Sequence, residues 1–176
     1  RLSVKKWSKI RQILKTKLSN NRLDDILSIR RKKNWIMEES RTQTREKAMF
    51  AIYDTLMYEN GGMEYEPRDV LERVFSCAYD DIDIMAREIY IKAILNEDEI
   101  ISLIEPKLKN WEFKRLNLIS QAILLAAISE ANYAKISDKK IVINAAVKMA
   151  KKYLDSSDFK YINAVLDKVI PNNEQQ

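Results

Sequence analysis

The scarcity of glycine and proline limits the fold of this chain more than any other feature, since its 176 residues include two glycines and three prolines. These are the two residues that a helix interior tolerates least. Alanine, leucine, isoleucine, lysine and glutamate, which favour helices, are frequent instead. The sequence therefore predicts an all-α protein. It also excludes glycine-rich phosphate-binding loops, which need several glycines close together.

The overall composition is that of a globular protein, with 46% hydrophobic and 32% charged residues. The longest apolar run, "AILLAAI" at 122–128, is much shorter than the roughly 20 residues that a membrane-spanning helix needs. No secretory leader is recognisable, and the single cysteine, Cys77, excludes an internal disulfide. These features predict a cytoplasmic protein without membrane contact.

Positive charge is concentrated at the N-terminus. Residues 1–40 carry 12 basic and 4 acidic side chains, a net charge of +8, whereas residues 41–176 carry a net charge of −3. We expect residues 1–39 to form a basic helical extension, because two short helical patterns flank "SNN" at 19–21. A basic extension on a mildly acidic domain is typical of proteins that bind nucleic acid or an acidic partner. The alternative is a solvated segment that keeps the protein soluble.

The apolar spacing predicts one helical domain over residues 40–171, followed by a disordered tail at 172–176. The helix at 116–131 has few polar residues, so we expect it to be buried on all sides as the central helix. The other expected helices lie at 40–59, from Pro67 to the acidic break at 80–83, from that break past Ile94, at 97–109 with a bend near Pro106, from a cap at Ser137 or Asp138, and from a cap at Ser157 or Asp158 to Pro171.

The first helix opens with Arg41 and Arg45, although a helix N-terminus already carries partial positive charge. At about 100° per residue, both arginines lie on the stripe that continues through Ala48, Ile52 and Leu56. We expect this stripe to face the core and the two guanidinium groups to reach past its end. Guanidinium groups beside unpaired N–H donors suit a phosphate group, and the alternative is that both are solvated.

Two further pairs of side chains lie away from the apolar stripes of their helices. Lys160 and Tyr161, near the start of the last helix, could hold a phosphate and stack a base, or simply form a surface pair. Phe50 and Met57 lie on the side of the first helix opposite its apolar stripe. This pair predicts that a partner, or the basic extension, covers that face.

The residue inventory argues against catalysis. There is no histidine, so catalytic arrangements that use histidine as a base are excluded. One cysteine without histidine also excludes an ordinary zinc site. The cluster "DDID" at 80–83 lacks the glycine and the ligand spacing of a calcium loop. We therefore expect a protein that is not an enzyme and that uses no metal or cofactor.

Three blocks of the chain carry a more specific pattern. The first, "SRTQTREKAMFAIYDTLMY" at 40–58, combines two arginines four residues apart with a following alanine and an apolar–tyrosine step. The second, "ILLAAISE" at 123–130, is a buried helix that ends in Glu130. The third spans 139–171 and contains Val142, Ile143, Asn144, Ala146, Val147, Ala150, Lys151, Asn163, Val165, Leu166 and Asp167. Together they cover residues 40–171 and resemble the NusB family of bacterial transcription antitermination factors.

The resemblance implies an all-α domain of two packed small helix bundles that binds a boxA-like element of ribosomal RNA transcripts. It further implies a partnership with the ribosomal protein NusE in an antitermination complex with RNA polymerase, and it leaves a homodimer open. The RNA-binding positions that it implies are Arg41, Arg45, Lys47, Ser157, Asp158, Lys160 and Tyr161, and the implied partner-binding positions are Tyr53, Ser120 and Gln121.

Several positions depart from the pattern of the family. We expect these departures to affect contact with NusE more than the fold. As a hypothesis, the basic extension at 1–39 supplies positive charge that the opening block lacks. The departures are Thr42 and Gln43 in place of basic residues, Leu125 in place of arginine, Ser120 and Gln121 in place of a more charged pair, Ala145 in place of glutamate, and Ala164 in place of glycine.

Two other functions stay open at this point. A NusB-like domain also serves as the RNA-docking module of ribosomal RNA methyltransferases, which would require a cofactor-binding region outside this chain. The third option is a helical scaffold or homodimer that binds protein and no RNA. Strong RNA binding that weakens steeply with salt separates the first two functions from the third.

Overall fold

A computed structural model describes residues 40–108, 111–155 and 158–172 of the chain. The expected basic extension at 1–39, most of the expected tail, and the expected cap at Ser157 lie outside the described residues. The boundaries of the extension and the tail therefore stay predictions.

The described part of the chain is helical and contains no β-strand. This confirms the expected all-α fold class. Three short 3₁₀ turns, at Tyr79–Asp81, Glu105–Lys107 and Phe113–Arg115, and a π-helical segment at Ser129–Ala134 connect the longer helices. The α-helices are α1 (Arg41–Asn60), α2 (Pro67–Phe75), α3 (Ile84–Leu95), α4 (Glu97–Ile104), α5 (Leu118–Ile128), α6 (Lys139–Tyr153) and α7 (Asp158–Val169).

Local capping chemistry fixes where α1, α3 and α5 begin. The Ser40 hydroxyl accepts a hydrogen bond from the Gln43 backbone N–H, and the Gln43 side chain accepts one from the Ser40 N–H. This capping box satisfies donors that the first turn of a helix leaves unpaired. The Asp83 carboxylate caps α3, and the Asn117 side chain caps α5. Polar residues directly before an apolar pattern therefore mark these boundaries.

Three helices differ in detail from the sequence prediction. α2 ends at Phe75, before the acidic break at 80–83. α5 ends at Ile128, and the chain continues as a π-helical segment to Ala134, beyond the expected end at 131. Asp138 occupies the N-cap position of α6 but its side chain makes no capping hydrogen bond. The hydroxyl of the other candidate cap, Ser137, accepts a hydrogen bond from the distant Arg45 instead, so a tertiary contact has replaced a local one.

α5 is the central helix, as the sequence predicted. Every residue from Ser120 to Ile128 is buried. α1, α2 and α3 pack together as one group, and α5, α6 and α7 pack together as another. The extensive contact between α1 and α5 joins the two groups. Near the start of α1, Arg45 contacts Glu130 of the π-helical segment that follows α5. In the ranges that the structure describes, no helix is both long and apolar enough to cross a membrane.

Candidate functional site

The guanidinium group of Arg45 forms a buried ion pair with Glu130. The Arg45 Nε lies 3.1 and 2.9 Å from the two carboxylate oxygens of Glu130, and Nη2 lies 2.8 Å from Oε1. Arg45 is 9% exposed and Glu130 is 2% exposed. Planar guanidinium and carboxylate groups that meet edge to edge in this way form the strongest class of side-chain hydrogen bonds.

The remaining contacts of Arg45 also lie within the domain. Its Nη2 donates to the Ser137 hydroxyl at 2.9 Å, and its Nη1 donates to the backbone carbonyl of Arg41 at 3.3 Å. The apolar stripe of Ala48, Ile52 and Leu56 is buried as expected, but the Arg45 side chain is buried as well. The expectation that Arg45 reaches past the core needs this correction, because the π-helical segment brings the Glu130 carboxylate beside the first turns of α1.

Arg41, one turn earlier, is exposed as the sequence predicted. Its Nη1 lies 3.1 Å from the Met85 sulfur, which is only a weak hydrogen-bond acceptor. No described carboxylate forms an ion pair with Arg41. The first turn of α1 contains no acidic residue either. An exposed guanidinium at a helix N-terminus without an acidic residue in its first turn can therefore bind a phosphate group.

The other expected RNA-binding residues do not all lie beside Arg41. Lys47 is half-buried, and its ammonium lies 5.2 Å from the centre of the Phe75 ring on α2. Lys160 is exposed on the first turn of α7, and the adjacent Tyr161 is half-buried. Ser157 and the side chain of Asp158 lie outside the described residues. Their expected contacts with RNA stay untested predictions.

A cluster that was not predicted from the sequence lies where α1 meets the end of α6. Glu46 Oε1 accepts a hydrogen bond from the Lys152 ammonium at 2.6 Å and another from the Tyr153 hydroxyl. The Phe50 ring packs edge-on against the Tyr153 ring at 5.3 Å between centroids. Tyr153 of the same domain thus packs against Phe50, whereas Met57 remains exposed. The expected cover by a partner or by the basic extension therefore stays a prediction for Met57 alone.

The ion pair shifts both of its charged groups towards their ionised forms. Hydrogen bonds from Lys152 and Tyr153 lower the pKa of the Glu46 carboxyl below its usual value. The hydrogen bond to Glu46 raises the pKa of Lys152 to about 12. Both groups are therefore charged at neutral pH. The sequence signal for this cluster was the run "KKY" at 151–153, which follows the last apolar position of α6.

The exposed lysines of α6 continue this cluster towards α7. Lys148, Lys151 and Lys152 are exposed on α6, and the Lys151 ammonium lies 5.1 Å from the centre of the Phe159 ring on α7. Lys160, the residue after Phe159, is exposed on the first turn of α7. We name the surface formed by Lys148, Lys151, Lys152 and Lys160 the lysine face. Lysines interleaved with aromatic rings are typical of surfaces that bind single-stranded nucleic acid.

The residues expected to bind a partner protein lie at different depths. Tyr53 is half-buried on α1. Ser120 and Gln121 are both buried on α5, where the Gln121 amide donates to the Leu116 carbonyl at 2.7 Å. Their burial corrects the expectation that these two side chains bind a partner directly at the surface. α5 is covered on every side, so its polar residues point into the domain.

Comparison with known proteins identifies the family. Residues 42–171 match the model of the NusB family. The Macrococcus caseolyticus transcription antitermination protein NusB is 33% identical over 133 residues, which cover 76% of this chain and 98% of that protein. The protein of the same name from Finegoldia magna is 31% identical and covers 77% of this chain and 96% of its own length.

Solved structures agree with this assignment at the level of the fold. NusB of T. maritima superposes with a TM-score of 0.62 at 22% identity, over 76% of this chain and 92% of that one. A structure of the antitermination factors NusB and NusE in complex with double-stranded RNA gives a TM-score of 0.62 at 23% identity, over 76% and 98% of the two chains. The chain belongs to the NusB family, whose members named above are transcription antitermination proteins.

Proposed function

We propose that this protein is a non-enzymatic RNA-binding factor that recognises a boxA-like element of ribosomal RNA transcripts. The observation that carries the proposal is Arg41, an exposed guanidinium at the N-terminus of α1 that pairs with no carboxylate of the described residues. The NusB domain in the complex with NusE and double-stranded RNA has the same fold, which supports RNA as the ligand class. In this proposal the protein acts with the ribosomal protein NusE inside a transcription antitermination complex with RNA polymerase.

The proposal divides the candidate residues by role. Arg41 and Lys160 bind phosphates as exposed cations, and Tyr161 stacks a base beside Lys160. Ser157, Asp158 and Lys47 complete the proposed RNA surface on the strength of the family resemblance alone. Arg45 supports this surface from inside the domain, since its guanidinium donates to the backbone of Arg41 and is otherwise held by Glu130 and Ser137.

The proposed contact with NusE centres on α1. Tyr53 lies four residues before the exposed Met57, so both side chains project from the same side of the helix. An exposed methionine beside a half-buried tyrosine suits a protein partner, because both add apolar area to an interface. Ser120 and Gln121 are buried, so in this proposal they do not touch NusE. They affect the contact only by helping to position α5. A homodimer through the same face is the alternative partner.

Replacing Arg41 with alanine is expected to weaken RNA binding and to reduce its dependence on salt. One lost phosphate contact should lower the slope of log affinity against log salt by about 1. Fluorescence anisotropy with a boxA-like RNA at several salt concentrations measures both effects. Arg68→Ala is a charge-matched control, because Arg68 is exposed on α2 and paired with Glu72. Equal slopes for Arg41→Ala and the unmodified protein would remove Arg41 from the RNA site.

NusE is expected to tighten binding of the boxA-like RNA and to leave a scrambled RNA of equal length unaffected. The physical reason is that NusE, once bound to this protein, is already held beside the RNA. Its contacts with the RNA then add to the affinity without a further loss of translational freedom. The same anisotropy titration, repeated with NusE at a fixed concentration, measures the change. If both RNAs bind alike with and without NusE, the protein is a general polyanion binder and the antitermination proposal is wrong.

A further inference from the structure

Glu46 is a carboxylate set among cations on the side of the domain that carries the lysine face. Its side chain is 19% exposed, and the Lys152 side chain with which it pairs is 61% exposed. The pair therefore lies at the surface, where a ligand can reach the ammonium group. The exposed charged side chains that lie near Lys152 in the sequence are Lys148 and Lys151 on α6, Asp155 in the connection between α6 and α7, and Lys160 on α7.

The geometry around Glu46 Oε1 makes its ion pair replaceable. That one oxygen accepts from both the Lys152 ammonium and the Tyr153 hydroxyl, so the tyrosine keeps its acceptor if the lysine leaves. An exposed lysine–carboxylate pair contributes little net stability, because water and salt compete for both groups. A phosphate group offers Lys152 a comparable partner, and it also releases a counterion from the RNA.

We propose that Glu46 is an intramolecular competitor of RNA at the lysine face: its carboxylate occupies Lys152, and an RNA phosphate must displace it to bind there. The inference rests on the proposed RNA-binding function. It assigns Glu46 a role in setting the affinity, since the carboxylate both occupies one cation and repels phosphates that approach the other lysines. The displacement then lowers the affinity for RNA by a small factor, which the other contacts of the RNA must offset.

Glu46→Gln is the direct test, because glutamine removes the charge and still accepts a hydrogen bond from Tyr153. We expect the full-length variant to bind the boxA-like RNA about two- to fivefold more tightly at low salt, which is the range of an exposed ion pair. We also expect its slope of log affinity against log salt to steepen by up to about 1. Anisotropy titration of the unmodified and variant proteins at several salt concentrations measures both quantities.

Two controls separate displacement at Lys152 from a general effect of removing one negative charge. In a Lys152→Ala background, Glu46→Gln should increase the RNA affinity by no more than a small part of its effect in the unmodified protein. The reason is that the ammonium group which Glu46→Gln makes available to RNA is absent. Glu72→Gln breaks a comparable ion pair with Arg68 on α2 and should leave RNA binding unchanged. A gain that is as large without Lys152 would show a general charge effect and would overturn the proposal.

The failures of the two proposals are distinguishable. If the unmodified protein binds the boxA-like RNA with a steep salt dependence but Glu46→Gln leaves the affinity unchanged or lowers it, Glu46 is not a competitor and only this inference fails. If no protein of the set binds RNA in a salt-dependent way, the proposed function itself fails. Thermal unfolding of each variant shows whether a change in affinity accompanies a change in folding.

Discussion

Replacing Glu130 with alanine should lower the free energy of unfolding by about 3–5 kcal/mol, because it leaves the buried guanidinium of Arg45 without a counter-charge. Arg45 would keep the Ser137 hydroxyl and the Arg41 carbonyl as acceptors, but neither of these carries a charge. In a chain of this size, such a loss corresponds to a fall of roughly 10 °C in the unfolding midpoint. Urea denaturation of the full chain, followed by circular dichroism, measures the change.

Two comparisons isolate the buried charge as the cause. Glu72→Ala removes one partner of an exposed ion pair and should cost less than about 1 kcal/mol. Arg45→Met combined with Glu130→Leu removes both charges together and should recover most of the loss, because a buried ion pair is often no more stable than apolar side chains of similar volume. A cost for Glu130→Ala as small as that of Glu72→Ala would contradict the buried ion pair.

The fold was readable from the sequence because local chemistry decides it. Ser40 with Gln43, Pro67 and Asp83 mark helix starts whose interactions all lie within a few residues of chain. The absence of polar residues from most of α5 made its burial equally plain. Each of these features is a property of one segment, so no knowledge of how the segments pack was needed.

The candidate site was only partly readable, because its decisive contacts join distant segments. Helical periodicity placed Arg45 on the buried stripe of α1, but it did not show that Glu130, 85 residues away, would meet the guanidinium. The contact of Glu46 with Tyr153 joins residues 107 apart in the same way. Arg41 was predicted correctly as exposed because its exposure depends only on its place at the end of the stripe.

The buried ion pair also connects stability to the proposed RNA site. Arg45 holds both the π-helical segment, through Glu130, and the backbone of Arg41. A residue that lies in the core and donates to the first turn of α1 can keep that turn in place without contacting RNA. A variant of Arg45 or Glu130 can therefore lose RNA affinity through partial unfolding, so its affinity is measured where circular dichroism shows it folded.

α5 offers a second site where one substitution should have a large effect. Leu125 is 1% exposed at the centre of the domain. Its side chain therefore contributes apolar contacts to the packing around the middle of α5. The neighbouring residues Leu124 and Ala126 are buried as well. The surrounding side chains therefore have little freedom to move into the space that a smaller residue at position 125 would leave.

Leu125→Ala is therefore expected to lower the free energy of unfolding by about 3 kcal/mol, through lost apolar burial and through the cavity that remains. Leu125→Met keeps the volume and should cost less than about 1.5 kcal/mol. Leu103→Ala is the matched control, because Leu103 is 40% exposed on α4 and loses little burial on truncation. Urea denaturation of the three variants decides the point: equal costs for Leu125→Ala and Leu103→Ala would mean that α5 is not the packed centre of the domain.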